Sequence, residues 1–218
     1  MSALRVPLLD ACGVEHAFGL RDVAPPAGVL RPVQVHGAQV AEPDASNRLV
    51  PEEADAVVST RPGLAVWVLT ADCVPILAAS RNGAAVAAIH AGWRGLAAGV
   101  VEAGMARLEQ RAAGEPLVAA IGPRIGLCCY EVDDPVIRAF AQRFGVEHAR
   151  ALVPTRAGHA RVDLGWLVAL ELERVGLPPD RIGLLDDSCT RCHAEKFHSH
   201  RRDGAAAGRL VHYVAACR

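Results

Sequence analysis

The stretch AVWVLTADCVPILAASRNGAAVAAIHAGWRG, residues 65–95, decides the fold class predicted for this chain. It contains three short apolar runs, at residues 65–70, 74–79 and 85–89, each bounded by turn or polar residues. Apolar runs of this length between turn signals predict buried strands. The turn at residues 80–83, SRNG, predicts a hairpin between the second and third runs, because Asn-Gly favours the tight turn between antiparallel strands.

Polar residues interrupt this apolar pattern at two places. Asp72-Cys73 lies between the first and second runs, and His90 ends the third. A thiol and an imidazole at the ends of adjacent buried strands can meet in space, so we expect Cys73 and His90 to act together. Gly92 and Gly95 follow, at the start of a predicted helix.

Outside this stretch the pattern alternates between strands and amphipathic helices. Residues 1–30 are predicted to be irregular apart from a short strand at 17–21, and residues 41–53 to form a surface loop. Further strands are predicted at residues 33–37, 54–60, 117–121, 182–185 and 210–215. Helices are predicted at residues 93–110, 134–144 and 164–175. No repeat or linker is evident, so we predict one α/β domain over residues 1–218.

The composition is typical of a globular protein with a substantial core. The chain has 218 residues, 51% of them hydrophobic, and a mean hydropathy of +0.20. Lys and Arg number 23 against 24 Asp and Glu, and aromatic residues make up 4%, so no nucleic-acid partner is expected. There is no signal peptide or membrane-spanning apolar segment, so the seven cysteines are expected to be reduced thiols in the cytoplasm.

Three candidate metal ligands, His36, Cys73 and His90, lie at predicted strand ends. Zinc prefers Cys thiolate and His imidazole, and a catalytic zinc site keeps a fourth position open. The chain has nine histidines and seven cysteines, however, and a buried cysteine is more often a small core residue. The residues alone leave both the metal site and the structural role open.

The predicted helix start after His90 offers an anion site. Gly92 and Gly95 allow close approach to the backbone, and the first turn of a helix has free N–H groups. Arg94 in that turn is unfavourable to the helix dipole unless an anion such as phosphate lies beside it. Alternatively, Arg94 pairs with Asp72.

A second group of candidate ligands lies in residues 189–200, CTRCHAEKFHSH. Cys-x-x-Cys-His is similar to a zinc knuckle and to a c-type haem attachment site, but haem attachment requires export. Structural zinc fingers usually place their second ligand pair further along the chain. This segment is either a second metal site or a loop of partly buried thiols, and the sequence leaves both interpretations open. Arg201, Arg202 and Arg209 either face an anionic substrate or are simply solvated. The chain contains no dinucleotide-binding, P-loop or lipase motif.

Eight runs, in order over about residues 33–210, carry a family resemblance. They are QVHG (34–37), ADAVVST (54–60), TADCVPIL (70–77), IHAGWRG (89–95), IGPRIGLCCYEV (121–132), VDLGW (162–166), DSCTRC (187–192) and FHSHRRDGAAAGR (197–209). On these runs the chain resembles the YfiH-like, or laccase-domain, family. The segment from Cys73 to His90 and the run CCYEV are the most specific parts of the match.

The resemblance implies a fold and a metal site. The expected fold is a mixed α/β, single-domain αββα sandwich, in which two β-sheets pack face to face between helices. The family's ligands map onto His36, Cys73 and His90, the triplet that the residues themselves suggest, and the usual metal is zinc.

The resemblance also implies an activity. Family members are described as purine nucleoside phosphorylases that accept adenosine, inosine and methylthioadenosine and deaminate adenosine. Others have been described as copper-dependent polyphenol oxidases. We expect Asp72 and Arg94 to be catalytic, with nucleoside and phosphate as partners and a monomer or small homo-oligomer as the assembly. The residues expected to contact substrate are Gln34, Gly92, Gly95, Cys129, Glu131 and Arg201.

Physical chemistry favours zinc over copper among these alternatives. Laccase chemistry needs several coppers, and a blue-copper site often adds an axial methionine, whereas this chain has only Met1 and Met105. The chain also departs from the family pattern in a shortened N-terminal region, residues 1–32. In addition, His198 and His200 replace the phenylalanine and tyrosine of the usual pattern, and His193 stands where asparagine is common. A phenol oxidase and a non-enzymatic metal- or thiol-sensing domain therefore stay open as alternatives.

Overall fold

The computed structural model describes residues 3–21, 23–24 and 30–217. Its strands are β1 (Ala3–Leu4), β2 (Glu15–Gly19), β3 (Val40–Pro43), β4 (Leu49–Val50), β5 (Ala56–Ser59), β6 (Ala65–Thr70), β7 (Val74–Ser80), β8 (Val86–Ala91), β9 (Leu117–Ile121), β10 (Glu131–Asp133), β11 (Leu152–Arg156), β12 (His159–Val162), β13 (Ile182–Leu184) and β14 (Leu210–Ala215). Its α-helices are α1 (Pro7–Asp10), α2 (Trp93–Ala97), α3 (Val100–Arg111), α4 (Asp134–Phe144), α5 (Leu164–Arg174) and α6 (His200–Asp203).

The hairpin of β7 and β8 lies at the centre of the largest sheet. This sheet has seven strands in the order β13-β9-β7-β8-β5-β3-β4. The hairpin is antiparallel, as the Asn-Gly turn predicts, and its register pairs Pro75 with His90. A four-stranded sheet has the order β1-β2-β14-β6, and a small sheet has the order β10-β12-β11.

Side chains that alternate along β7 build two core layers. Ile76 and Ala78 pack with residues of α3, α4 and α5, whereas Leu77 and Ala79 pack with residues of the four-stranded sheet. Because both faces are covered, every residue of β7 is buried. The predicted fold class, mixed α/β with packed sheets flanked by helices, is confirmed. The assignment of residues 1–218 to a single domain stays a prediction.

The prediction of one helix over residues 93–110 is wrong, because two helices occupy this range. α2 ends at Ala97 and α3 begins at Val100. Between them Gly99 has a φ of 88°, in the left-handed region, which a right-handed helix cannot continue through. The predicted ends of the other long helices, α4 and α5, agree with the structure to within one residue.

The prediction of a strand over residues 33–37 is also wrong. Val33 forms only an isolated bridge with Glu53, and His36 has a φ of 60°. The backbone turns here because three successive N–H groups, from Val35, His36 and Gly37, all donate to the carboxylate of Asp55. Local sequence pattern does not show such a long-range acceptor.

Two segments predicted to lack regular structure contain it. The described part of residues 1–30 holds β1, α1 and β2, and residues 41–53 include most of β3 and all of β4. The short strand predicted at residues 17–21 lies two residues earlier, as β2, where it pairs with β14 from the other end of the chain. Within the described residues, no helix combines the length and apolar character needed to cross a membrane.

Candidate metal centre

His36, Cys73 and His90 come together at one end of the large sheet. One ring nitrogen or thiol sulfur from each lies within 4.8 Å of the others. Cys73 immediately precedes β7, and His90 lies in β8 opposite Pro75, so the hairpin register brings the thiol and the imidazole together. His36 comes from the turn around Asp55, and its ring meets that of His90 edge to face, with centroids 4.9 Å apart.

Asp55 is a fully buried carboxylate behind this triplet, and the sequence analysis did not identify it. Besides the three backbone N–H groups, it accepts a hydrogen bond from His90 Nδ1 at 2.7 Å. This bond leaves Nε2 of His90 as the nitrogen available to the triplet. A carboxylate that fixes the tautomer of a histidine ligand is typical of metal sites. The signal in the sequence was an acidic residue inside the otherwise apolar run ADAVVST.

Hydrogen bonds outweigh burial in setting the charge of the triplet. Burial alone would raise the pKa of the Cys73 thiol, but hydrogen bonds with His36 and His90 bring that pKa to about 6. Burial alone would lower the pKa of His90, but Asp55 and Cys73 raise it to about 9. Burial likewise opposes the low pKa of Asp55, which the bonds from His90 and Gly37 maintain. The thiolate form that a metal ligand requires is therefore favoured by its neighbours.

Two imidazoles and one thiolate fit a zinc ion with one position left for water or substrate. The same three ligands match the trigonal part of a blue-copper site, which adds a long axial bond, often to methionine. Met105 is buried in the core beside the helices and is not among the residues that line the cavity over the triplet. The donor set therefore fits zinc better than a blue-copper centre.

A cavity of about 580 Å³ opens over the triplet. Its lining includes the apolar residues Val33, Leu69, Ile125 and Leu164 and the arginines Arg31, Arg94, Arg201 and Arg209. Gln34, Asp72, Trp93, Tyr130 and His200 also line it. This volume lies within the usual range for small-molecule sites.

Asp72 lines the cavity, and its carboxylate also connects separate loops. Its two oxygens accept hydrogen bonds from Thr190 Oγ1 and from the backbone N–H of Arg201, both at 2.6 Å. Its backbone oxygen accepts from the N–H of Ile125 at 3.0 Å. Asp72 also has a φ of 92°, in the left-handed region. These contacts fix the residue that precedes Cys73.

Arg94 lines the cavity and lies over the ring of Trp93, with Cζ 4.3 Å from the ring centroid. Among the ion pairs of the described residues, none joins Arg94 to Asp72, so the structural alternative for Arg94 gains no support. α2 has only five residues, and its own dipole is correspondingly small. Any attraction for anions at this position therefore depends on the guanidinium of Arg94.

Gly92 and Gly95 allow close approach, but the groups that approach them belong to the protein. A Cβ at Gly92 would lie 2.9 Å from Cδ2 of His36 and 3.1 Å from Sγ of Cys73. A Cβ at Gly95 would lie 2.9 Å from the carbonyl oxygen of Gly37. The two glycines therefore let α2 pack directly against the metal-ligand segment.

Of the other residues expected to contact substrate, Gln34 and Arg201 line the cavity and Glu131 does not. Gln34 lines the cavity while its side chain bonds to both the N–H and the C=O of Leu69. Arg201 also lines it, stacks on Tyr130 and donates to the backbone oxygen of Glu131. The carboxylate of Glu131 instead contacts Thr155, outside this cavity.

Cys129 belongs to a second cluster of potential ligands. This four-cysteine group consists of Cys128, Cys129, Cys189 and Cys192, and its sulfur atoms lie within 4.8 Å of one another. The Cys-x-x-Cys pair of the sequence analysis therefore meets a cysteine pair from about 60 residues earlier in the chain. Of the three histidines considered as added ligands, His200 lines the cavity, and His193 pairs with Asp187. Neither those two nor His198 is part of a potential metal group among the described residues.

Comparison with known proteins identifies the family. Residues 17–217 match the family model described as multi-copper polyphenol oxidoreductase laccase. The chain belongs to this family. The YfiH-like, laccase-domain resemblance is thereby confirmed, and the family suggests a metal.

Similar curated proteins carry the name purine nucleoside phosphorylase. One from Bacteroides thetaiotaomicron is 36% identical over 72% of this chain, and one from Xylella fastidiosa is 41% identical over 78%. The matches span 58% and 65% of those two relatives, so the chain corresponds to less than two thirds of their length. A Streptomyces coelicolor relative is 43% identical over 87% of this chain and 75% of its own length.

Solved structures share the fold. The crystal structure of Bacillus licheniformis YfiH has a TM-score of 0.84 at 24% identity and covers 94% of this chain and 93% of its own. The crystal structure of YlmD from Geobacillus stearothermophilus has a TM-score of 0.80 at 30% identity, covering 88% of this chain and 74% of its own.

Proposed function

We propose that this protein is a zinc-dependent purine nucleoside phosphorylase that also deaminates adenosine, with adenosine, inosine and methylthioadenosine as substrates. The observation that carries the proposal is the meeting of the His36–Cys73–His90 triplet and several arginines in one partly apolar cavity. The names of the family relatives support it. We also propose that the protein works in the cytoplasm.

In this proposal the triplet binds the metal, and Asp55 positions two residues of the triplet, His36 and His90. His36, Cys73 and His90 would be the ligands, and all three line the cavity. Zinc bound there supplies Lewis-acid chemistry to the reacting group. Asp55 orients His90 and fixes the turn that carries His36, so the ligands are placed before the metal arrives.

The cavity wall suits the two substrates of a phosphorolysis. Phosphate must approach C1′ of the ribose, and guanidinium groups bind phosphate through paired charge-assisted hydrogen bonds. Arg94 and Arg201 are the proposed phosphate ligands, and the apolar residues Val33, Leu69 and Leu164 are the proposed contacts of the purine ring. Burial raises the pKa of Tyr130, so its hydroxyl stays protonated and can donate a hydrogen bond to substrate.

Two alternatives remain to be tested. The description of the matched family model and the two-histidine, one-cysteine donor set favour a copper phenol oxidase as the second candidate. A third possibility is a metal- or thiol-sensing domain without turnover. The three candidates differ in metal, product and turnover, so one set of reactions separates them.

In the test, purified protein of measured metal content is incubated with adenosine, once with phosphate and once without. The products are then separated by chromatography. Adenine formed only with phosphate supports phosphorolysis, and inosine formed in both samples supports deamination. We expect Cys73→Ala to lose the metal held by the His36–Cys73–His90 triplet and both activities. Cys12→Ala is the matched control, because Cys12 is a buried cysteine in the other core cluster.

Retained turnover by a Cys73→Ala protein that has lost the metal of the triplet would contradict the proposal. Copper-dependent dye oxidation that survives removal of zinc would replace it with the oxidase. Stoichiometric zinc with no turnover of any nucleoside would replace it with the sensing domain.

A further inference from the structure

The four-cysteine group joins two loops that are distant in the sequence. Cys128 and Cys129 lie in the loop between β9 and β10, and Cys189 and Cys192 lie in the segment after β13. The backbones of the two loops meet in an isolated parallel bridge between Arg124 and Cys189. All four residues are free thiols in the structure.

Three of the sulfur–sulfur distances in the group are close to those around one tetrahedral metal ion. Cys128 Sγ lies 3.5 Å from Cys189 Sγ and 3.7 Å from Cys192 Sγ, and Cys129 Sγ lies 3.4 Å from Cys192 Sγ. Zinc–sulfur bonds of about 2.3 Å in a tetrahedron place the sulfurs about 3.8 Å apart. A disulfide needs about 2.0 Å. An iron–sulfur cluster needs more room, because inorganic iron and sulfide separate the cysteines.

The surroundings of the group are those of thiolates rather than of core thiols. The backbone N–H of Gly126 donates to Cys189 Sγ at 3.3 Å, and Arg191 Nη1 donates to Cys129 Sγ at 3.6 Å. A Cβ at Gly126 would lie 3.3 Å from Cys128 Sγ. N–H donors and a cation beside the sulfurs stabilise the negative charge that four thiolates bring to a metal.

We propose that the four-cysteine group holds one zinc ion in a closed structural site, separate from the His36–Cys73–His90 triplet. All four coordination positions belong to the protein, which is the arrangement of structural rather than catalytic zinc. The site is near the surface, with Cys128 and Cys192 exposed, so the ion can enter directly.

Zinc at this position fastens the wall of the cavity. Ile125 and Tyr130 come from the first loop and line the cavity. Thr190, between the two cysteines of the second loop, donates to Asp72, the residue before Cys73. An ion that ties these loops together therefore fixes both a cavity wall and the start of β7, without contacting substrate.

The first test measures the number of zinc ions bound per protein chain by elemental mass spectrometry. We expect two equivalents in the unsubstituted chain, one in Cys192→Ser or Cys128→Ser, and one in Cys73→Ala. Cys217→Ser is the matched control, since Cys217 is half-buried and outside both groups, and it is expected to keep two. The Cys73→Ala protein loaded with cobalt should show the charge-transfer absorption of a four-thiolate site.

Alkylation of the unsubstituted protein provides a readout that needs no variant to fold. With zinc bound, iodoacetamide is expected to spare the exposed thiols of Cys128 and Cys192, and a chelator is expected to make them reactive. One zinc equivalent with all four cysteines freely alkylated would overturn the proposal. So would a mass showing a disulfide within the group in zinc-replete protein, or two equivalents retained by both serine variants.

Discussion

Asp55→Asn tests whether the buried carboxylate organises the metal ligands. In the structure Oδ1 accepts from His36 N–H at 3.0 Å and from His90 Nδ1 at 2.7 Å. Oδ2 accepts from Val35 N–H at 3.1 Å and from Gly37 N–H at 2.7 Å. An amide nitrogen in place of Oδ2 faces the two N–H groups of Val35 and Gly37 and satisfies neither. In place of Oδ1 it leaves the N–H of His36 without an acceptor.

The expected cost follows from this count. A buried donor left without an acceptor costs about 1–3 kcal/mol, so the unfolding free energy falls by about 1–3 kcal/mol with one such donor and by about 2–6 kcal/mol with two. If the amide nitrogen faces His90, the imidazole must accept at Nδ1 and carry its proton on Nε2, the nitrogen available to the metal. Loss of such an outer partner typically lowers metal affinity about 10–100-fold.

Two measurements check this prediction. Urea unfolding reports the stability of the apoprotein, and competition with a chromophoric chelator reports the zinc affinity of the folded protein. Asp134→Asn is the control, because its side chain is 56% exposed and its ion pair with Arg138 is on the surface, so we expect almost no change. An Asp55→Asn protein with wild-type zinc affinity and stability would refute the role assigned to Asp55.

Three further variants probe the histidine in the four-stranded sheet, the cavity wall and the glycine beside the ligands. Burial lowers the pKa of His212 to about 3. The unfolded chain, with a histidine pKa of about 6.5, therefore binds a proton that the folded chain does not, which costs about 2 kcal/mol of stability at pH 5 relative to pH 7. In His212→Gln this pH-dependent loss should shrink by that amount in urea unfolding at the two pH values, and an unchanged loss would exclude the explanation. Arg94→Ala should raise the KM for phosphate about tenfold or more while the deamination rate changes little, because it removes a charge-assisted contact to phosphate alone; an equal effect on both reactions would contradict that assignment. Gly92→Ala should lower zinc affinity through contact rather than backbone strain, since its φ of −74° suits alanine while the new Cβ would lie 2.9 Å from the ring of His36; wild-type affinity in a chelator competition would show that the ring moves freely.

The central hairpin was predictable because its signals are local. Apolar runs and the Asn-Gly turn at residues 82–83 define β7 and β8, and the register of that hairpin then places Cys73 near His90. β6, β9 and β14 have the predicted bounds for the same reason. The turn at residues 33–37 could not be predicted from local pattern, because the acceptor that shapes it, Asp55, lies about 20 residues away.

The four-cysteine group likewise could not be predicted from local sequence pattern, because its two cysteine pairs are distant in the sequence. The Cys-x-x-Cys spacing at residues 189–192 indicates metal ligands, but in the sequence the nearest candidates for a second ligand pair are the histidines that follow it. The true neighbours, Cys128 and Cys129, reach this pair because β13 lies parallel to β9, so the chain segments after these two strands leave the sheet side by side. Strand order, which the sequence pattern does not specify, decides which cysteines meet.

The structure shows contacts of Asp72 that the sequence does not predict. Asp72 is expected to be catalytic, and the structure places it on the cavity wall. Both of its oxygens, however, accept short hydrogen bonds from the protein, one from the loop that carries Cys189 and one from the first turn of α6. A carboxylate oxygen has two lone pairs, so each oxygen of Asp72 can still accept a second hydrogen bond. These contacts fix the residue before Cys73 relative to the two loops, and the catalytic role of Asp72 stays a prediction.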